Sequence, residues 1–397
     1  MLTKKQNFRI FCLILLALVL VIAFLGVRNI VLKKQFHKLQ KPSYVFDADE
    51  LAKRAQKSNS KVVIVRNGRI GLWDRKEGSK KLKLIPELTI GESEGDPNKI
   101  FYRIGSVIAD KDGNIYVCQI YDGNIKKFNP NGEYLMTIGG KGRGPAELLM
   151  PLFMAFDNSG NLCVLEYGNQ RISKFSCSGK YLGSVRLNLP QIPFGGFAID
   201  DTGAFYVSVW DREKDKVIHK FSSTGKFLGS FGKAVKFPTP LSPSDNMIKR
   251  DISRGRLAFF NKELYYSQRN PYEIRIFTTD GSLKMRIFRK NRFMPPSKVK
   301  IIGKETIEWK VPASSTFIGI WKDKIINAVS IPKYLPPKAQ TVIDLFSMNG
   351  KLLTTLSLPE EIWLYYLDAV HERIYGTITD ENGIKKVVRF RLSLQEL

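Results

Sequence analysis

Histidine and cysteine, the side chains that most often hold metals or do nucleophilic work, are scarce: three histidines and four cysteines in 397 residues. Cys12, Cys118, Cys163 and Cys177 show no zinc-ligand spacing. Cys12 lies in an apolar run, and Cys118 and Cys163 fall inside strand-like segments, so they read as buried free thiols. A disulfide scaffold and a metal knuckle are both excluded. His37 precedes the body of the chain, His219 sits in "VIHKF" and His371 in "DAVHER"; no two share a ligand spacing. No Ser-His-Asp or Cys-His arrangement can be assembled, so the chain reads as a non-enzyme. No cofactor is expected, although oxygen ligands from separate segments could still collect a Ca²⁺ without leaving a spacing signature.

Acidic residues are also short, with 37 Asp+Glu against 63 Lys+Arg and a net charge of +26. Such an excess favours acidic partners, whether nucleic acid, anionic lipid or an acidic glycan, without choosing among them. Hydrophobic residues make up 43% of the chain, enough for a core, and wholesale disorder is excluded.

Long apolar runs are limited to one. Residues 10–27, "IFCLILLALVLVIAFLGV", carry no charge. As a helix they would cover about 27 Å, close to the hydrocarbon thickness of a bilayer. The following "AFLGVRN" offers no small-x-small cleavage site, which favours an uncleaved signal-anchor over a cleaved signal peptide. Residues 1–9 form a basic tail, 10–27 the transmembrane signal-anchor, 28–60 a juxtamembrane linker and 61–397 the folded body. Lys4, Lys5 and Arg9 before the run oppose Arg28, Lys33, Lys34, Lys38 and Lys41 after it. A simple charge count would keep the downstream side in the cytoplasm. A basic leader followed by an apolar run is nevertheless how exported chains begin, and the reading adopted is an extracytoplasmic body, periplasmic or at the cell surface.

The body repeats. "SVIADKDGNIYVCQIYDGNIKKFNPNGEYLMTIG" (106–139) matches "FMAFDNSGNLCVLEYGNQRISKFSCSGKYLGSV" (153–185) and "GFAIDDTGAFYVSVWDREKDKVIHKFSSTGKFLGSFG" (196–232). Each contains a strand, an Asp-x-x-Gly turn, a second strand, a variable loop, a strand ending in Phe, a turn closing on Gly and a fourth strand. The anchors are Asp110/Gly113, Asp157/Gly160 and Asp200/Gly203, then Phe128/Gly132, Phe175/Gly179 and Phe221/Gly225. An Asp side chain accepts backbone N–H groups across a tight turn and Gly supplies the positive φ, so these positions have a mechanical reason to recur. Weaker copies follow at 256–288, 317–358 and 364–392; the last holds only three strands, and "KLIPELTIG" (83–91) resembles the missing fourth.

Four-stranded units of this length, the last completed by the N-terminal strand, describe an all-β, six-bladed β-propeller of antiparallel blades, closed so that no sheet edge is left open. A seventh blade is the alternative, because "KVVIVRNGRIGLWD" (61–74) looks like one more hairpin. The segment "GKGRGPAELLMPLFMAFDNSGNLCVLEYGNQRISKFSCSGKYL" resembles the NHL repeat: G-x-G, an acidic residue, Pro, apolar-x-Asp-x-x-Gly-Asn, then Asn-x-Arg-Ile-x-x-Phe-x-x-x-Gly. The resemblance is strong over 103–232, partial to 290 and weak beyond. It implies a six-bladed NHL-type propeller of the kind found in exported bacterial proteins, a scaffold with no single activity. The amidating lyases of that group would need histidines this chain lacks.

Within a four-stranded blade, the first and third turns share one face of the ring, and the second turn and the inter-blade connection share the other. The glycine-rich "GGKGRGPAEL" (139–148) is such a connection rather than a phosphate loop, since a Walker motif would need Gly-Lys-Ser/Thr opening a helix. The second turns carry Tyr121/Asp122, Tyr167/Asn169, Trp210/Arg212, Arg269/Tyr272 and Tyr334, and the connection at 139–148 adds Lys141 and Arg143. Residues 249–310 hold 16 Lys+Arg against 6 Asp+Glu. Aromatics beside cations suit recognition of protein, sugar or single-stranded nucleic acid. These residues are the expected contact surface of a membrane-anchored binding or scaffolding module, with a protein or glycan as partner. One alternative is a channel-centred hydrolase or lyase using a divalent cation held by Asp and Asn oxygens. The other is polyanion (RNA) binding, should the propeller face the cytoplasm.

Overall fold

In the computed structural model the Asp-x-x-Gly turns form as their residue types require. Asp110 Oδ1 accepts from the backbone N–H groups of Asp112 at 3.0 Å and Asn114 at 2.9 Å, and Asp157 does the same for Ser159 and Asn161. Asp200 holds Thr202 and Ala204 in the same way. Gly113, Gly160 and Gly203 close these turns at φ between 75° and 80°, a region that an L side chain resists.

The structure describes residues 42–46, 53, 62–67, 80–189, 195–236, 243–289, 297–302, 305–310, 314–331 and 340–396. Three strands precede the repeats: β1 (Pro42–Phe46), β2 (Val63–Asn67) and β3 (Lys80–Ile90). Blade 1 is β4 (Ile104–Ala109), β5 (Ile115–Gln119), β6 (Asn124–Phe128) and β7 (Tyr134–Ile138). Blade 2 is β8 (Pro151–Phe156), β9 (Leu162–Glu166), β10 (Arg171–Phe175) and β11 (Tyr181–Arg186). Blade 3 is β12 (Gly196–Ile199), β13 (Phe205–Asp211), β14 (Lys216–Phe221) and β15 (Phe227–Lys233), followed by the helix α1 (Pro243–Ser253). Blade 4 is β16 (Gly255–Phe260), β17 (Glu263–Gln268), β18 (Glu273–Thr278) and β19 (Leu283–Arg289). After it, β20 (Ser297–Ile302) and β21 (Glu305–Lys310) join β1 in a separate three-stranded sheet. Blade 5 is β22 (Ser314–Ile320), β23 (Lys324–Ser330), β24 (Thr341–Ser347) and β25 (Leu352–Leu358). Blade 6 is β26 (Trp363–Asp368), β27 (Arg373–Thr379) and β28 (Lys385–Glu396), completed by β3.

The ring therefore closes as expected. β28 and β3 pair antiparallel from Val387↔Ile90 to Glu396↔Lys80. Glu87 on the closing strand meets Arg373 at 2.9 Å and Arg389 at 3.2 Å. Of the proposed seventh hairpin at 61–74 only residues 62–67 are described. β2 instead runs parallel to β19 as a fifth strand on blade 4, with Asn67 bonded to the backbone of Gly350 and Leu352 in blade 5.

The core lies between blades. Six apolar clusters each join residues of neighbouring blades, and the phenylalanine of each third strand sits in one of them: Phe128, Phe175, Phe221, Phe277, Phe346 and Phe390. That burial explains why Phe outlasts the turn residues as the repeat decays. The innermost strands β4, β8, β12, β16, β22 and β26 neighbour one another around the axis. At one seam the approach leaves no room for a side chain: a Cβ on Gly196 would lie 2.7 Å from the Gly255 carbonyl oxygen and 2.9 Å from the Leu257 nitrogen.

Among the described residues no helix is long and apolar enough to cross a membrane. The apolar run at 10–27 lies outside them.

Candidate functional site

The loop at 139–148 is held by its neighbour blade. Leu148 N–H bonds Gly140 O at 2.6 Å, and Glu147 accepts from Gly144 N–H at 2.7 Å. From blade 2, Arg171 donates to the carbonyls of Gly144 at 3.0 Å and Glu147 at 2.6 Å. Asn169 donates to Gly142 O at 3.2 Å and to the buried Glu166 at 2.6 Å. Glu166 also takes Arg171 at 2.9 Å, Ser173 at 2.6 Å and the N–H of Leu149 at 2.8 Å. The Asn-x-Arg pattern is thus a clamp on the incoming connection. Lys126 plays the corresponding part in blade 1, on Pro97 O at 2.6 Å, and Arg275 in blade 4, on Lys233 O at 2.6 Å.

The clamp sorts the candidate residues. Lys141 and Arg143 are exposed at the outer edge of the held loop, whereas Asn169 is turned inward and is a structural residue. Tyr167 is half-buried against the cluster between blades 2 and 3. Trp210, expected at the surface, is 4% exposed. Helix α1 covers it: Lys249 Nζ lies 5.2 Å from its ring centre and 2.6 Å from Asp215, which accepts the Trp210 indole N–H at 3.2 Å. Arg212 is exposed in the same loop. Tyr272 is also buried, donating to Asp344 at 3.0 Å across the seam between blades 4 and 5. Both rings are wide enough to fill an inter-blade wedge, and burial of that area outweighs exposure on a loop. Arg269 pairs with Asp251 at 2.6 Å. Tyr334 lies outside the described residues.

Tyr121 remains as an exposed aromatic, with Asp122 half-buried beside it. Two residues not singled out by sequence complete a patch. Tyr102 is 71% exposed and Tyr121 54%. Arg103, between them, donates to the Tyr121 hydroxyl at 3.2 Å and lies 5.6 Å from its ring centre. Ile120 N–H bonds Arg103 O at 2.9 Å, fixing the loop on this segment. Gly123, in the same loop, packs against the Lys141 backbone. Arg103 and Tyr121 are thus in contact, Tyr102 is exposed beside Arg103 in the chain, and the loop of exposed Lys141 and Arg143 packs against the Tyr121 loop at Gly123. Its signal in the sequence is "FYR" in an inter-blade connection, the same class of segment that supplies Lys141.

Part of the basic segment 249–310 is spent on internal pairs among the described residues. Lys249 pairs with Asp215, Arg254 and Arg269 with Asp251, Arg275 and Arg286 with Glu273, Lys284 with Glu263, and Arg289 with Asp344. Seven of its sixteen cations are thus neutralised within the fold.

The axis holds a cavity of about 60 Å³ to which every blade contributes from its innermost strand. Its lining is apolar or hydroxylic apart from the Arg256 guanidinium, and includes Ser106, Phe153, Phe197, Thr316 and Tyr365. No Asp or Asn side chain lines it, so the oxygen ligands a divalent cation needs are missing from this wall. Among the described residues no three His, Cys, Asp or Glu side chains gather as a metal set elsewhere.

These features define a six-bladed β-propeller with an elaborated loop face and a narrow axial cavity. Residues 100–289 match the family DUF5128, described as a 6-bladed beta-propeller. Two similar solved structures are a candidate exported protein of Bacteroides fragilis and a member of the DUF4221 family from Bacteroides vulgatus. The first has 10% identity and a TM-score of 0.55 over 84% of this chain and 100% of that one. The second has 12% identity and a TM-score of 0.53 over 81% and 100%. At such identities the likeness is one of fold. No curated protein matches the chain in sequence.

Proposed function

We propose that the chain is a non-catalytic binding module: an NHL-type propeller anchored to the membrane through residues 10–27, held outside the cytoplasm, that captures a protein or glycan partner on its loop face. The observation that carries the reading is the patch of Tyr102, Arg103, Tyr121, Lys141 and Arg143. Two exposed tyrosines, one of them next to Arg103 in the chain, accompany a guanidinium that the other, Tyr121, already orients. Broad rings with few torsions and a planar cation supply contact area at low ordering cost, which is how binding hot spots are made. The Asn169 and Arg171 clamp supports the NHL kinship, because it gives that repeat's most distinctive polar pair a mechanical task. The exported character given for the Bacteroides fragilis neighbour agrees with an extracytoplasmic location.

The test uses the full chain in detergent. Wild type and a Tyr102→Ala, Tyr121→Ala double variant are compared for capture of envelope proteins and glycans. A species retained by wild type and lost by a variant of unchanged melting temperature supports the reading. Equal retention by both removes this patch as the contact surface. An activity reporter fused after Leu397 tests the orientation independently.

A further inference from the structure

The axial cavity contains a cation with no acid beside it among the described residues. Arg256 is the second residue of β16, and its guanidinium points into the cavity 5.2 Å from the Phe153 ring centre. Its one hydrogen bond is from Nη1 to Gly195 O at 3.1 Å. Among the described residues no Asp or Glu forms an ion pair with it, although seven other basic residues in the same quarter of the ring have such a partner. The acid nearest along the chain, Asp251, is taken by Arg254 and Arg269. Burial pulls the Arg256 guanidinium down to about 10; Tyr365 works against this, and Arg269 and Arg254 add to it. The group is still charged at neutral pH, in a place that penalises the charge.

Hydroxyls face it. Ser106 Oγ, buried in the same wall, has only the weakly bonding Cys118 thiol beside it. Tyr365, from blade 6, lines the cavity close enough for its hydroxyl to feel Arg256. A guanidinium with a free edge, a flat apolar backing and hydroxyls in the same small cavity is a receptor for a planar oxyanion. The volume excludes a sugar or a nucleotide.

We infer that the axial cavity binds the carboxylate of a small ligand, with Arg256 as its counter-ion and Ser106 and Tyr365 as neutral donors. A half-buried cation is kept without an acid partner at a cost in stability, and a ligand carboxylate relieves it. The inference stands apart from the loop-face reading, since none of the patch residues lines the cavity.

The experiment measures the melting temperature of the full chain against acetate, propionate and inorganic phosphate at constant ionic strength, with chloride as the control. Wild type is expected to show a saturable rise with acetate or propionate. Arg256→Met should abolish that response and raise the melting temperature in the absence of added carboxylate, because it removes the unpaired charge. Arg256→Lys should fold and retain a response weakened about tenfold, having lost the bidentate edge. Arg254→Gln, outside the cavity lining, should respond as wild type. A carboxylate response that survives Arg256→Met, or a melting temperature that falls in that variant, overturns the proposal: the first means an adventitious anion only, the second a structural arginine. A saturable response confined to phosphate, or none at all, also overturns it.

Discussion

Replacing Trp210 with Ala separates the two roles that an aromatic on a propeller loop can have. The ring fills the wedge between blades 3 and 4 with Leu257, Tyr266 and Phe277, and is 4% exposed. Truncating a buried aromatic of this size costs about 3–5 kcal/mol in transfer and cavity terms. The Lys249 ammonium over the ring adds about 1 kcal/mol, because it loses its π-face while keeping Asp215. A total near 5 kcal/mol lowers the melting temperature of a domain this large by roughly 10 °C, at about 2 °C per kcal/mol. The paired control is Tyr121→Ala. That ring is 54% exposed and has one hydrogen bond and one cation–π contact, both to Arg103, so its loss costs about 1 kcal/mol or less. Urea unfolding of the two variants at constant pH is the assay, read as a shift in midpoint at unchanged slope. Should Trp210→Ala leave the midpoint within about 0.5 kcal/mol of wild type, helix α1 does not seal that wedge and Trp210 returns to the contact surface.

Two further outcomes follow from the turns and the inner ring. Burial by itself would raise the Asp200 carboxyl; hydrogen bonds from Thr202, Ala204 and Tyr206 outweigh it and hold the group below its ordinary value. Asp157 and Asp380 are also held low. A carboxyl depressed in the folded state contributes stability above its unfolded value of about 4, and that contribution disappears as pH falls through the folded value. Stability should therefore drop below about pH 4, and Asp200→Asn should be less stable at pH 7 yet lose less on acidification, as urea midpoints at both pH values will show. Gly196→Ala should destabilise by about 1–3 kcal/mol, because its Cβ meets the backbone of β16; calorimetry showing no loss would mean that the inner ring is looser than its geometry.

The blade pattern was legible because each repeat carries its own local instruction. Asp110, Asp157 and Asp200 bond backbone groups no more than four residues away, and such turns form from short-range chemistry alone. Closure by residues 83–91 was legible for the same reason: the fourth strand of a blade has a recognisable ending, and only one copy lacked it. The strand at 63–67 misled, because alternation and apolar content specify a strand and leave its partner open; the parallel pairing to β19 is a long-range choice.

The candidate surface was less legible. The sequence showed that an aromatic recurs in the second turns, and topology placed those turns on one face. What became of each ring depended on its neighbours. Trp210 lies under a helix built from the next connection, and Tyr272 reaches an aspartate 72 residues away, while Tyr121 has only Arg103. Arg256 shows the same division. "GR" stands where other inner strands begin with Gly105-Ser106 or Gly196-Phe197, a difference visible in the sequence. That the guanidinium enters a closed ring with no acid in reach was decided by six strands meeting at one axis, since burial and pairing are properties of the assembled ring.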